Sequence, residues 1–152
     1  MQRLHSDTDW QSISVHISTQ TGTPFKIASI CPVSGGCINR AFRVDGGGKR
    51  YFVKINEAGY LPIFEAEADG LREIQASRSL RVPVPAGTGL AGTHAFLLLE
   101  WIETGDSSRA GWEKMAQNLA AMHRHVETSF GWKRDNTIGA TPQRRSTIST
   151  MF

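Results

Sequence analysis

A lysine stands inside a strand-like apolar run, Tyr51-Phe52-Val53-Lys54-Ile55, and no other feature of the chain restricts its fold as tightly. An ammonium held among apolar neighbours is costly unless a carboxylate or phosphate meets it. In extended backbone Phe52, Lys54 and Asn56 share one face, and Tyr51, Val53 and Ile55 share the other. Lys54 thus keeps company with an aromatic and an amide, as on the wall of a cleft. The flanking segments sharpen this. A glycine-rich loop, Ser34-Gly35-Gly36-Cys37-Ile38-Asn39, precedes the strand, and an acidic helix-like segment from Phe64 to Leu71 follows it. A lone lysine of this kind is most simply an exposed residue of an edge strand; the loop and the carboxylates favour an anion-holding site.

The pattern around this core is α+β. A helix is predicted over residues 7–20, with Asp7 near its cap and Trp10, Ile13 and Ile17 on one face. Strands are predicted over 25–33, 41–44 and 50–55, the last two joined by the glycine turn Asp45-Gly46-Gly47-Gly48-Lys49. They form an antiparallel meander with the glycine-rich loop at one tip. A helix over 62–76 follows, with Pro62 in its first turn, Glu65, Glu67 and Asp69 near its positive end, and Phe64, Ala68 and Leu71 facing the core. Gly70 inside this helix suggests close packing against a neighbour. Two more strands, near 86–90 and 94–99, complete a five-stranded antiparallel sheet. Residues 100–106 read as a linker. A second amphipathic helix carries Trp112, Met115, Ala116, Leu119, Met122 and Val126; residues 130–143 read as irregular.

Composition removes several alternatives. The longest apolar stretch, Ala95 to Leu99, is far shorter than the roughly 18 residues of a membrane span. The polar N-terminus lacks a signal-peptide core, and a cytoplasmic location is expected. Two cysteines, Cys31 and Cys37, are too few for a disulfide framework and fit a reducing compartment. The net charge of +3 comes from the C-terminal part, where seven Lys/Arg face three Asp/Glu from Arg109 onward. No basic patch is interleaved with aromatics, which argues against nucleic-acid binding.

Four elements carry chemistry. Gly35 and Gly36 lack a Cβ, so the loop backbone can approach phosphate oxygens and present N–H donors. Lys54 would bridge two phosphates. Glu67 on the following helix would hold the ammonium in place. Glu65 competes for that role but lies about 200° around the helix, and Leu71 and Ile74 continue from Glu67 on the buried side. Glu65 and Asp69 then read as a solvated acidic face. The strand end Leu97-Leu98-Leu99-Glu100-Trp101-Ile102 offers backbone groups to a base, through the Glu100 carbonyl and the Ile102 amide, with Leu99 beside it. Cys37, among loop amides and near Lys54, is a candidate oxidisable thiol, although a small inert loop residue is the simpler reading. His123 and His125 face different ways on a helix, which is poor metal geometry.

In this order the stretches SGGCINRAFRV (34–44), RYFVKIN (50–56), FEAEADGLREI (64–74), VPVP (82–85), FLLLEWIETG (96–105), LAAMHRH (119–125) and FGWKRDNTIGATPQ (130–143) resemble the fructosamine/ketosamine-3-kinase family, relatives of aminoglycoside phosphotransferases and choline kinases. The resemblance implies a protein-kinase-like N-terminal ATP-binding lobe over 1–102, and a hinge and the start of a C-terminal lobe over 103–143. Residues 144–152 are atypical and expected to be a disordered tail. It implies ATP and Mg²⁺, and phosphorylation of the 3-hydroxyl of ketosamines, small or protein-borne, in deglycation repair, with neither nucleic acid nor membrane as partner. By position it places Gly35, Gly36 and Asn39 in the phosphate loop, Lys54 and Glu67 in the phosphate-positioning pair, and Leu99, Glu100 and Ile102 at the adenine. The family's catalytic-loop and metal-binding aspartates have no counterpart; Asp135 alone follows Asp106. Base and metal ligands are therefore expected from a C-terminal lobe beyond a truncated or frame-shifted end. The chain alone is expected to bind ATP weakly without turnover, and to self-associate through its inter-lobe face or Cys37. The competing reading is a non-catalytic nucleotide-binding or interaction module derived from such a kinase.

Overall fold

A computed structural model describes residues 8–35, 38–127, 131–139 and 141–145. Helix α1 (Trp10–Thr21) opens the fold, followed by strands β1 (Ser29–Pro32), β2 (Arg40–Gly46) and β3 (Lys49–Glu57). A single 3₁₀ turn (Ala58–Tyr60) runs into α2 (Leu61–Ala76), then β4 (Pro85–Ala91), β5 (His94–Glu100) and α3 (Arg109–Met122). The five strands form one antiparallel sheet in the order β1-β2-β3-β5-β4. A short hairpin, β6 (Asn136–Ile138) with β7 (Thr141–Gln143), follows where the sequence predicts irregular chain.

The alternation read from β3 holds. Tyr51, Val53 and Ile55 are buried, and together with Val44, Phe96 and Leu98 they pack against Ile13 and Ile17 of α1. On the opposite face Ala95, Leu97 and Leu99 pack against Phe64 and Ala68 of α2. Each face of the sheet therefore has its own helix, which explains why β5 is buried continuously from Ala95 to Leu99. The β2–β3 connection is the tight turn the glycines predict: Gly47 and Gly48 adopt φ of 54° and 74°, the positive pair that a two-residue hairpin loop requires.

The helix termini correct two expectations. Asp7 lies outside the described residues, and Asp9 is the cap of α1, accepting a 3.0 Å hydrogen bond from the Ser12 amide. Helix α2 starts one residue earlier than predicted, so its first turn holds no carboxylate and Glu65 to Asp69 fall in the second and third turns. Gly70 is not tightly packed either, since a Cβ there would meet only Trp132 Cζ2 at 4.0 Å, an ordinary contact. Gly70→Ala is accordingly expected to stabilise the fold by about 0.5–1 kcal/mol, read as a higher urea midpoint at unchanged slope.

His16 of α1 fills a notch in β4. Its ring meets Phe96 edge-on at 5.0 Å, and a Cβ at Gly87 (φ 155°) would collide with its Nε2. That nitrogen is buried without a hydrogen-bond partner, and burial holds the imidazole below the ordinary histidine value of 6.5. The neutral ring is thus the folded form. The unfolded chain takes up a proton as pH drops through 6.5 while the folded chain resists, so this contribution is full above that value and is lost below it. Melting temperature should fall between about pH 8 and about pH 5, and His16→Leu should flatten that slope.

Among the described residues no helix is long and apolar enough to cross a membrane. The apolar stripe of α3 is exposed, with Trp112 at 61% and Met115 at 51% of full accessibility, and Val126 lies beyond the helix end.

Candidate functional site

Strand β3 aims Lys54 at the α2 side of the sheet, between Ala41 of β2 and Leu97 of β5. Its Nζ lies 2.6 Å from Glu67 Oε1, and the two side chains are 26% and 32% exposed. The pair is therefore sheltered yet still reachable by a ligand, in the range where a charge-assisted bond is strong without paying full desolvation. Glu67, rather than Glu65, is the carboxylate that meets Lys54. Glu65 turns away, but it and Asp69 are not merely solvated: both meet Arg134, at 3.5 and 2.7 Å.

The loop approaches the same face of the sheet. Gly35 has φ of 125°, and nothing would touch a Cβ there within 4 Å, so its backbone is open to an incoming group. Gly36 and Cys37 lie outside the described residues. The far limb of the loop is tied down by Asn56, two residues beyond Lys54. Its Nδ2 donates to Asn39 Oδ1 at 2.7 Å and to the Ile38 carbonyl at 3.1 Å. Asn39 thus braces the loop on the lysine strand. The strand's parity placed Asn56 beside Lys54; its bonds to the loop depend on loop geometry that parity does not specify.

At the end of β5 the arrangement is less direct. Leu99 is 4% exposed, within the α2 core. Glu100 donates its amide to the Val84 carbonyl, and its carboxylate accepts both Arg81 guanidinium nitrogens at 2.8 and 2.7 Å and the Val84 amide at 3.2 Å. The Arg81 fork holds this carboxyl below the usual range. An open depression of about 300 Å³ lies here, lined by Lys49, Arg50, Tyr51, Val84, Ala86 and Glu100, and it does not include Lys54. Ile102 is half-buried in the linker that follows.

Trp101 was not anticipated as a site residue. Its ring lies 6.4 Å from that of Phe52, with the Arg43 guanidinium carbon 5.6 Å from its centroid, and its Nε1 is buried without a hydrogen-bond partner. Counting alternate residues on from Leu97 and Leu99 reaches Trp101, so the signal was present in the parity of β5.

Among the described residues no three His, Cys, Asp or Glu side chains converge as a metal-holding group. Cys31 is a free, half-buried thiol with Arg43 Nη2 at 3.7 Å. The described residues thus set a carboxylate-held amine on the sheet face that the open backbone at Gly35 leads toward.

Comparison with known proteins places this arrangement. The family model described as fructosamine kinase matches residues 9–150. A probable ketoamine kinase of Synechocystis is 45% identical over 141 residues, covering 92% of this chain and 48% of that protein. The chloroplastic protein-ribulosamine 3-kinase of Arabidopsis thaliana is 38% identical over 125 residues, covering 80% and 38% respectively. The crystal structure of a putative fructosamine-3-kinase from Haemophilus somnus superposes with a TM-score of 0.85 at 28% identity, over 95% of this chain and 50% of that one. Its counterpart from Thermobifida fusca gives 0.71 at 28% identity, over 91% and 48%. The chain thus spans about half the length of these relatives, or less. With a family model matched over nearly all of its residues and the same fold in two solved members, this chain belongs to the fructosamine kinase family.

Proposed function

We propose that these residues form the nucleotide-holding lobe of an ATP-dependent ketosamine 3-kinase, which transfers the γ-phosphoryl group to the 3-hydroxyl of a fructosamine or ribulosamine. The observation that carries this reading is the 2.6 Å Lys54–Glu67 pair set beside an open glycine-bearing loop. Lys54 would meet the α- and β-phosphates, Glu67 would fix the direction of the ammonium, and the backbone near Gly35 and Gly36 would supply N–H donors. Asn39 shapes that loop through Asn56. The base would lie against the Glu100 carbonyl and the Ile102 amide, beside Leu99 and near Trp101. The base that orients the sugar hydroxyl and the carboxylates that hold Mg²⁺ would come from outside the described residues.

The relatives' names support the substrate class, since one is named a protein-ribulosamine 3-kinase and others probable ketoamine kinases. A decisive test joins residues 1–143 to the C-terminal half of the Synechocystis relative and measures ADP formation on a ribulosamine. ATP-dependent turnover is expected, with Lys54→Met reducing it by at least about 100-fold, the usual cost of removing a group that stabilises transferring charge. Turnover unaffected by Lys54→Met would overturn the reading.

A further inference from the structure

The segment after α3 returns to the sheet-bearing part of the chain and grips α2 from outside. Trp132 Nε1 donates to Glu73 Oε2 at 2.6 Å, and Lys133 Nζ lies 3.2 Å from the other oxygen of the same carboxylate. Arg134 reaches further along the helix. Its guanidinium donates to Asp69 Oδ2 at 2.7 Å, to the Pro62 carbonyl at 3.4 Å and to Glu65 Oε2 at 3.5 Å. These three acceptors lie on one stripe of α2, and Arg134 is only 30% exposed among them. The same segment then turns at Gly139, whose position for a Cβ is 3.8 Å from Ile38 Cδ1 in the glycine-rich loop.

Helix geometry links this grip to Lys54. Each residue advances about 100° around the axis, so Glu67 lies about 200° from both Glu65 and Asp69. Lys54 therefore holds one side of α2 and Arg134 the other. A rotation of the helix that draws Glu67 away from Lys54 also shears Asp69 and Glu65 from the guanidinium. The apolar anchor beneath is Phe64 and Ala68, fully buried, with Leu61 and Leu71 only partly buried beside them. Charge on the outer face therefore has a rotation left to resist.

We propose that Arg134 is a positioning residue for the phosphate-holding pair: by clamping Asp69 and Glu65 it fixes the rotation of α2 that keeps Glu67 on Lys54. The claim extends the kinase reading above and rests on it only for its nucleotide readout. Asp69 retains its local partner Arg72 at 3.0 Å when Arg134 is removed, so loss of the clamp does not strand a buried charge.

The test is a double-mutant cycle on the full 152-residue chain, with ATP binding measured calorimetrically. Arg134→Ala is expected to weaken binding about fivefold, and Arg134→Lys, which keeps the charge without the fork, to recover part of the loss. In a Glu67→Gln background Arg134→Ala should add less than about twofold, because the residue it positions is already disabled. An equal loss in both backgrounds overturns the proposal, as does no loss in the native one. If the native chain binds no ATP, the nucleotide reading fails, and the clamp is then judged on Lys54 itself. The Lys54 Hζ protons, protected by Glu67 and followed through the ¹⁵Nζ signal, should exchange faster with water in Arg134→Ala, and an unchanged exchange rate overturns the proposal.

Discussion

Phe64→Ala is expected to destabilise the fold by about 3–5 kcal/mol, the usual cost of emptying a buried aromatic site. Phe64 is the largest fully buried side chain between α2 and the sheet, packed against Ala95, Leu97 and Leu99. Its neighbour on the helix, Ala68, is too small to fill the space, and Tyr60, 6.5 Å away ring to ring, is held by the 3₁₀ turn. Collapse of the site is therefore limited, which places the loss toward the upper part of the range. Phe64→Leu, which keeps most of the volume, should cost distinctly less. Both values follow from urea unfolding, and a loss below about 1 kcal/mol for the alanine variant would contradict the packing described for α2.

Lys54→Met and Glu67→Ala should separate binding from stability. The two side chains are about a quarter and a third exposed, so the pair falls between the surface limit near zero and the buried limit of about 3–5 kcal/mol. Glu67→Ala leaves the ammonium facing Phe52 and Leu97 with no carboxylate, and a stability loss of about 1–2 kcal/mol is expected with weaker nucleotide binding. Lys54→Met substitutes an apolar chain of similar length but leaves the Glu67 carboxylate without its cation, so a comparable stability loss of about 1–2 kcal/mol is expected. Its effect on ATP should nevertheless be the larger, because it removes the group that meets the phosphates. The opposite ordering would mean that Lys54 is a structural charge.

The elements of the fold that depend on short-range pattern were legible in the sequence. Parity along β3 fixed which face carries Lys54, the 100° step of α2 selected Glu67 over Glu65, and Gly47-Gly48 announced the hairpin. Features that depend on distant partners were not. His16 occupies a notch made by Gly87 and Gly89, seventy residues away, and its burial cannot be read from an α1 stripe that marks only Trp10, Ile13 and Ile17. The acidic residues Glu65 and Asp69 look solvated until Arg134 arrives from a segment that lacks any period. Gly70 invited a close-packing argument, yet a Cβ there would meet only Trp132 at an ordinary 4.0 Å. The α3 stripe was legible as a stripe, yet Trp112 and Met115 remain exposed.

Isothermal titration of ATP into the 152-residue chain, beside the same titration of Lys54→Met, tests the central claim most directly. Saturable binding at one site is expected, weakened at least about tenfold in the variant, since a charge-assisted phosphate contact is worth more than about 1.4 kcal/mol. Equal affinity in the two proteins, with both still folded, would contradict it.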